Sequence, residues 1–407
     1  MISRTMQSSV NAKPFIHGPE ADAVAAVLVE GQYGHSRETE AFEQELAQYL
    51  GVPQVVAVTS GTDALHIALL AAGIRAGDEV IVPSMTFCAS VQAILMCGAV
   101  PRFAEIDPDT LCVTERTVME ALTPATRAVM PVLYGGRAVD LSGIHDTLAA
   151  SGIAIVEDAA QAFGSWCGPQ RVGARPQATT CFSFGPIKQL TCGQGGAIVP
   201  RTEQEGDAAR NLRLLGIVQP QSERVRTTTY RVESTGLRAP LSGINAAIGR
   251  VQLRHFAATE HRRRSLWRAY QAALLNLGDA TLVDVGIDSA LPFNCVVRVP
   301  RRDAVFQLMH AEGVAVGVHY PPNHLQPAFA RWHRDLPTTE QAAREILSLP
   351  FHPAMTSTDV VHVVTVLGQA LSASRAGERP SRACYEWRSA TTDSSTSTSS
   401  SAASGRP

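Results

Sequence analysis

The chain has 407 residues, enough for a large domain and a smaller one with separate cores. Apolar residues make up 45% and charged residues 18%, as in ordinary water-soluble enzymes, and the formal charge of -2 gives no electrostatic reason to expect nucleic acid or an anionic membrane as a partner. No signal-like segment or membrane-length apolar run is present, and the eight cysteines form no CxxC pair, so a cytoplasmic protein with free thiols and no metal is expected.

Strand-like and helix-like segments alternate through the first half of the chain. Helical patterns cover Ala64–Ala72 and Ala89–Cys97. The short apolar runs that predict strands are Val55–Thr59, Glu79–Pro83, Val100–Ile106, Ala128–Leu133, Ala154–Glu157, Thr180–Phe184 and Gly196–Val199. Short strands separated by helices favour βαβ units, so an α/β fold with a mostly parallel sheet flanked by helices is predicted.

The second half predicts a smaller α/β domain and a tail. A long helix is predicted from Gln252 to Leu277, with Arg262–Arg263–Arg264 on a solvated face. The next predicted elements are a strand at Phe293–Val299, a helix at Ala304–Glu312 and a strand at Val314–His319. The expected domains are residues 1–250, 251–375 and a disordered tail, 376–407, whose end is nearly all Ser, Thr, Ala and Gly.

The segment Thr59–Leu65 can hold a phosphate. A strand ends there in a turn of small residues, and a helix follows. The first N–H groups of a helix lack intrahelical acceptors and carry a partial positive charge, which suits an anion. Serine and threonine at such a position are also ordinary helix caps, so both interpretations stay open on this segment alone.

Asp158 follows a buried apolar strand, in the sequence VEDAAQ. Ligands of open α/β sheets gather at the carboxyl ends of strands. A carboxylate there can pair with a protonated ring nitrogen of a cofactor. It can equally cap the next helix, and the residues alone do not separate the two roles.

Lys188 lies among aromatic, apolar and glycine neighbours in CFSFGPIKQLTCGQGG. A lysine that loses its water has a lowered pKa and becomes a usable amine nucleophile. A surface lysine in a loop is the alternative interpretation.

The order and spacing of these segments resemble the DegT/StrS family of sugar aminotransferases, a branch of the fold-type I pyridoxal-phosphate enzymes. The resemblance covers roughly residues 14 to 370 and rests on SGTDALHIALLAAGIRAGDEVIVPSMTF, VLYGGRAVD, VEDAAQAFGS, CFSFGPIKQLTCGQGGAIV, GLRAPLSGINAAIG, VHYPPNHLQPAF and SLPFHPAMT. It implies a large cofactor-binding domain, a smaller C-terminal domain, and a homodimer with shared active sites.

The same resemblance implies roles for individual residues. Lys188 occupies the position of the lysine that holds pyridoxal 5'-phosphate as a Schiff base. The other implied cofactor contacts are Asp158 at the ring nitrogen, Gln161 near the ring's oxygen substituent, Phe87 stacked on the ring, and Gly61, Thr62 and Ser183 at the phosphate. These residues offer an aromatic face, one anion and several donors, as the cofactor requires.

Arg238 departs from the family pattern, which usually has Asn or Lys there in a segment that often reaches the partner subunit. A guanidinium can still bind a phosphate with two hydrogen bonds, so Arg238 is expected at the cofactor phosphate. His319 and Tyr320 are the candidate substrate residues, because they offer neutral donors and aromatic surface suited to a sugar.

The expected reaction is transfer of an amino group, from glutamate, to a keto-sugar, most simply one linked to a nucleotide. Three alternatives remain: an aminocyclitol ketone as acceptor, a related dehydratase, and a pyridoxal-phosphate-binding regulator without turnover. Dehydratases of this kind replace the lysine with histidine, so Lys188 argues against that alternative. The intact set of Lys188, Asp158, Phe87 and Ser183 favours catalysis over regulation.

Overall fold

A computed structural model of the chain describes residues 9–219, 221–224 and 226–377. Its strands are β1 (Val56–Val58), β2 (Glu79–Pro83), β3 (Val100–Ala104), β4 (Thr126–Val129), β5 (Ala154–Asp158), β6 (Trp166–Cys167), β7 (Gln170–Arg171), β8 (Thr179–Ser183), β9 (Gly196–Val199), β10 (Thr281–Leu282), β11 (Cys295–Arg298) and β12 (Ile346–Leu349). Its helices are α1 (Glu20–Glu30), α2 (Arg37–Leu50), α3 (Gly61–Ala71), α4 (Cys88–Met96), α5 (Glu115–Ala121), α6 (His145–Ala150), α7 (Glu203–Leu212), α8 (Gln221–Arg224), α9 (Gly243–Arg254), α10 (Phe256–Leu274), α11 (Arg302–Ala311), α12 (Pro337–Glu345) and α13 (Ser357–Ala376).

The larger sheet has seven strands in the order β1-β9-β8-β5-β4-β2-β3. Neighbouring strands are parallel from β8 to β3, and β9 is antiparallel to both β1 and β8. Along β2, Ile81 packs into one apolar cluster while Val80 and Val82 pack into the other, on the opposite face. A sheet buried on both faces gives strands that are apolar throughout, which is why the sequence predicts them well. The predicted α/β fold is confirmed.

This topology brings four segments to one edge of the sheet. Strands β2, β5 and β8 run in the same direction, and β1 shares it because two antiparallel pairings separate β1 from β8. Their carboxyl ends lead to the turn at Ser60, the loop 84–87, Asp158 and Ser183. Because carboxyl ends of parallel strands meet at one edge, residues distant in sequence become neighbours there.

The smaller sheet, β10-β11-β12, is antiparallel and is covered by α10, α11 and α13 around the buried Trp267 and Tyr270. The predicted domain boundary at 250 falls inside α9, and the boundaries stay a prediction. Most of the predicted tail, from residue 378 onward, lies outside the described residues. Within the described residues, no helix combines the length and the apolar run needed to cross a membrane.

Three predictions for the second half are wrong. The single helix from Gln252 to Leu277 is two helices, α9 and α10, separated at His255. The strand predicted at Val314–His319 is only an isolated bridge between Gly317 and Ser348. Val314 and Val316 are apolar because they pack in the core of the smaller domain, and they do not pair with a neighbouring strand. The arginine run is also not wholly solvated: Arg263 is 2% exposed and donates to the carbonyls of Pro292 and Phe293.

Candidate active site

The turn before α3 forms a cradle of N–H and hydroxyl groups. Ser60 caps the helix by accepting from the Asp63 N–H at 3.0 Å. The N–H groups of Gly61 and Thr62, which lie between Ser60 and Asp63, have no acceptor within the helix because they belong to its first turn. A Cβ at Gly61 would lie 2.7 Å from the Ser183 Cβ, so only glycine permits this approach of β8. Gly61, Thr62 and Ser183, all predicted for one anion, are therefore adjacent.

Asp158 ends β5 as a buried carboxylate, 6% exposed. Its Oδ2 accepts from the Ser90 hydroxyl at 2.6 Å, and its Oδ1 accepts from the Ala160 N–H at 3.1 Å. In the described part of the chain, Asp158 forms no salt bridge, although it attracts the Lys188 ammonium from a greater distance. A buried carboxylate that carries two hydrogen bonds and no paired cation suits a cationic ligand.

Lys188 lies in the loop after β8, where its N–H donates to the Gly185 carbonyl at 3.2 Å. Its Nζ lies 4.8 Å from the centroid of the Phe293 ring. Burial lowers the pKa of Lys188 to about 8, against the opposing attraction of Asp158. The amine is therefore partly neutral near pH 8 and available as a nucleophile.

Two aromatic side chains, Phe87 and Tyr320, form one side of the same cluster. Phe87 is 57% exposed, and its ring centroid lies 5.8 Å from that of Tyr320. Gln161 Nε2 donates to the Tyr320 hydroxyl at 3.1 Å, while Gln161 Oε1 accepts from the Gly135 N–H at 2.8 Å. Burial raises the pKa of Tyr320, so its hydroxyl stays neutral. Phe87 offers a free aromatic face, and Gln161 fixes the orientation of Tyr320.

His319 lies close enough to Lys188 for their charges to interact. Its Nδ1 is 2.8 Å from the Ser348 Oγ, and its carbonyl accepts from the Tyr134 hydroxyl. Burial lowers the pKa of His319, and the positive charge of Lys188 lowers it further. The imidazole is thus neutral at pH 7, which makes His319 a neutral hydrogen-bonding group near the amine.

Arg238 is not part of this cluster within one chain. It forms a bridge with Leu214 and lines a separate cavity of about 580 Å³, whose other walls are Gly31, Gln32, Tyr33, Gly34, His35, Leu215, Ile217, Arg224 and Pro240. Gly243 borders the same region: its N–H donates to the carbonyls of Tyr33 and Gly34, and a Cβ there would meet Ser36. That Arg238 serves a partner's cofactor stays a prediction.

Sequence reasoning missed three residues of the site: Ser90, Phe293 and Tyr134. Ser90 had a usable signal, because it lies only three residues after Phe87, in the first turn of the helix that Phe87 precedes. Phe293 had none, since only the packing of the smaller sheet brings it to Lys188.

Comparison with known families identifies a match over nearly the whole chain. Residues 14–368 match the model of the DegT/DnrJ/EryC1/StrS aminotransferase family. The match includes every residue of the cluster described above.

Solved structures of similar fold include several aminotransferases. The aminotransferase TlmJ from Streptoalloteichus hindustanus is 32% identical, with a TM-score of 0.84 over 90% of this chain and 99% of that one. DesV of S. venezuelae, solved in complex with a ketimine intermediate, is 34% identical, with a TM-score of 0.81 over 88% and 98%. The sugar aminotransferase CalS13 from Micromonospora echinospora is 29% identical, with a TM-score of 0.83 over 88% and 99%.

Proposed function

The chain belongs to the DegT/DnrJ/EryC1/StrS aminotransferase family, and from that membership we propose that it transfers an amino group from glutamate to a keto-sugar carried on a nucleoside diphosphate. Pyridoxal 5'-phosphate is the proposed cofactor, bound at Lys188. The observation that carries the proposal is that one cluster contains a buried carboxylate, Asp158, which forms no salt bridge within the described residues, and an amine, Lys188, whose pKa is lowered to about 8.

The residues fit the cofactor group by group. A pyridinium N–H would balance the charge of Asp158, which the described residues leave without a salt bridge. The exposed face of Phe87 suits stacking on the cofactor ring. The cradle of Gly61, Thr62 and Ser183 suits a phosphate, because it combines helix N–H groups with a hydroxyl.

When bound, pyridoxal 5'-phosphate supplies an electron sink that stabilises negative charge on the substrate carbon. Lys188 has two tasks in the proposal. Its neutral amine would hold the cofactor covalently at the aldehyde carbon, with release of water, and once freed, its Nζ would accept a proton from one carbon and return it to another. Both tasks require an amine that loses and regains a proton near neutral pH, in keeping with its lowered pKa.

We propose the class of amino-group acceptor from the polar side chains that lie near Lys188. Enzymes that aminate keto acids bind the substrate carboxylate with an arginine. The cluster instead offers two neutral groups, His319 near Lys188 and the Tyr320 hydroxyl near Asp158, which suit the hydroxyl groups of a sugar. CalS13 is described as a sugar aminotransferase, which supports the same class of acceptor.

We also propose a cytoplasmic homodimer in which Arg238 completes the partner's site. The Arg238 cavity is lined by residues of the α1–α2 loop and by Arg224. Analytical ultracentrifugation tests this assembly. A monomer at micromolar concentration that still turns over would contradict the sharing of sites.

The attachment of the cofactor can be tested without any knowledge of the sugar. The chain has two lysines, Lys13 and Lys188, and Lys13 is exposed. Protein incubated with pyridoxal 5'-phosphate and reduced with borohydride should carry the label on Lys188 in peptide maps. Lys13→Arg should label like wild type, whereas Lys188→Arg should lose the visible absorbance of the bound cofactor. Labelling confined to Lys13 would overturn the assignment.

The acceptor is tested by competition. Enzyme whose cofactor has been converted to its amine form by glutamate is offered a nucleotide-linked 3-keto or 4-keto hexose, the free keto-sugar, a cyclitol ketone and a simple keto acid. Rapid turnover with a nucleotide-linked sugar supports the proposal. Turnover with the keto acid alone would overturn it, and turnover with the cyclitol ketone alone would replace the acceptor but keep the mechanism. No conversion by glutamate, despite cofactor bound at Lys188, would indicate a regulator.

A further inference from the structure

Ser90 links the first turn of α4 to the carboxylate at the end of β5. Its side chain is fully buried. Its Oγ lies 2.6 Å from Asp158 Oδ2, 2.8 Å from Thr86 Oγ1 and 3.3 Å from the Phe87 carbonyl. One hydroxyl therefore contacts the segment that carries the aromatic face and the carboxylate proposed for the cofactor ring.

The proton of the Ser90 hydroxyl can be assigned from charge and distance. A hydroxyl has a single proton to donate, and a carboxylate accepts more strongly than a neutral carbonyl. The contact with Asp158 is also shorter than the contact with the Phe87 carbonyl. Ser90 thus donates to Asp158, and Thr86 donates to Ser90, forming a relay in which each hydrogen bond polarises the next.

The two hydrogen bonds on Asp158 restrict how its carboxylate can turn. Ser90 holds Oδ2, and the Ala160 N–H holds Oδ1, so rotation of the group would break both. Each carboxylate oxygen accepts through two lone pairs, which leaves further acceptor capacity for a ligand. Asp158 is in this way prepared for one more donor arriving in a fixed direction.

We propose that Ser90 is a positioning residue that aims the Asp158 carboxylate at the ring nitrogen of the cofactor, with Thr86 orienting Ser90. This inference rests on the proposed function, since the ring nitrogen belongs to pyridoxal 5'-phosphate. Ser90 acts through Asp158 and does not itself contact the reacting atoms.

The neighbouring residue on β5 provides a matched comparison. Glu157 is also a buried carboxylate that accepts from a strand hydroxyl, Thr180 Oγ1, at 2.7 Å. Because successive side chains on a strand point to opposite faces, Glu157 faces away from the cluster. Its charge is paired with Arg175, so its bonding partners all come from the protein. The two adjacent carboxylates therefore share the same kind of hydroxyl donor, and of this pair only Asp158 forms no salt bridge within the described residues.

The test compares pyridoxal 5'-phosphate with its 1-deaza analogue, in which carbon replaces the ring nitrogen. Dissociation constants for both are measured by absorbance titration in wild type, Ser90→Ala, Thr86→Val and the control Thr180→Val. The ratio of the two constants reports the contribution of the ring nitrogen alone, because general effects on folding change both constants equally.

Wild type should prefer the natural cofactor. Ser90→Ala should reduce that preference by about tenfold, in line with loss of a hydrogen bond to a charged group, and Thr86→Val should reduce it less. Thr180→Val should keep the wild-type ratio, and Ser90→Thr should restore it.

Failure of this inference can be told apart from failure of the proposed function. An unchanged ratio in Ser90→Ala, with wild type still preferring the natural cofactor, would overturn the role of Ser90 and leave the proposed function intact. A wild-type protein that binds neither compound at Lys188 would overturn the proposed function. If Ser90→Ala and Thr180→Val lowered the preference for the natural cofactor equally, Ser90 would have only a general structural role.

Discussion

Replacing Lys188 with methionine should stabilise the cofactor-free protein at neutral pH. Methionine keeps a similar length and apolar volume and removes the ammonium. Burial lowers the pKa of Lys188 from 10.5 to about 8, which means that the folded chain binds the proton on this amine more weakly than the unfolded chain does. Charging the amine in the folded protein therefore costs stability.

The sign and the pH window follow from proton binding. Between about pH 8 and pH 10.5 the unfolded state holds more protons on Lys188 than the folded state, so wild-type stability rises with pH across this window. Below pH 8 both states are protonated and the full cost remains. A pKa gap from 10.5 to about 8 corresponds to about 3 kcal/mol at 1.36 kcal/mol per unit, and partial contact of the side chain with solvent reduces this to about 1–3 kcal/mol.

The assay is urea unfolding of cofactor-free wild type, Lys188→Met and the control Lys13→Met, at pH 7 and at pH 10.5. Lys188→Met should be more stable than wild type by about 1–3 kcal/mol at pH 7, and the difference should shrink toward zero at pH 10.5. Lys13 is exposed, so its replacement should change neither value. A stabilisation by Lys188→Met that is equal at both pH values would refute the reasoning, because it would come from packing and not from the charge.

Three further predictions concern the cradle, the Arg238 cavity and the tail. Gly61→Ala brings a methyl group to 2.7 Å from the Ser183 Cβ, so it should destabilise the protein by about 1–3 kcal/mol in thermal unfolding. It should also weaken cofactor binding in absorbance titration, and an unchanged affinity would exclude the cradle as the phosphate site. Arg238→Ala should accelerate loss of cofactor on dialysis while the melting temperature stays near that of wild type, and equal retention would contradict its role at the partner's phosphate. Deleting Ser389–Pro407, outside the described residues, should leave melting temperature and turnover unchanged, and a large loss of either would mean that this tail docks on the body.

The sequence predicted the larger sheet well and the smaller one poorly. Strands β2 and β9 have the predicted bounds, because strands buried on both faces are apolar along their whole length. Strand β12 was missed, since it is a four-residue run that directly follows α12. The run Val314–His319 was predicted as a strand and is not one, because its apolar residues pack in the core without pairing with a neighbouring strand.

The sequence by itself determined the family and predicted Lys188 and Asp158 as the reactive lysine and its carboxylate, because both lie in motifs whose order and spacing can be read along the chain. The tertiary structure alone decided their environment. Packing of the smaller sheet brings Phe293 to Lys188, and burial then lowers the pKa of the amine. Likewise, only the fold pairs Ser90 with Asp158 and buries Arg263. The physical reason is that desolvation and hydrogen-bond geometry depend on groups far apart in sequence, which local patterns do not specify.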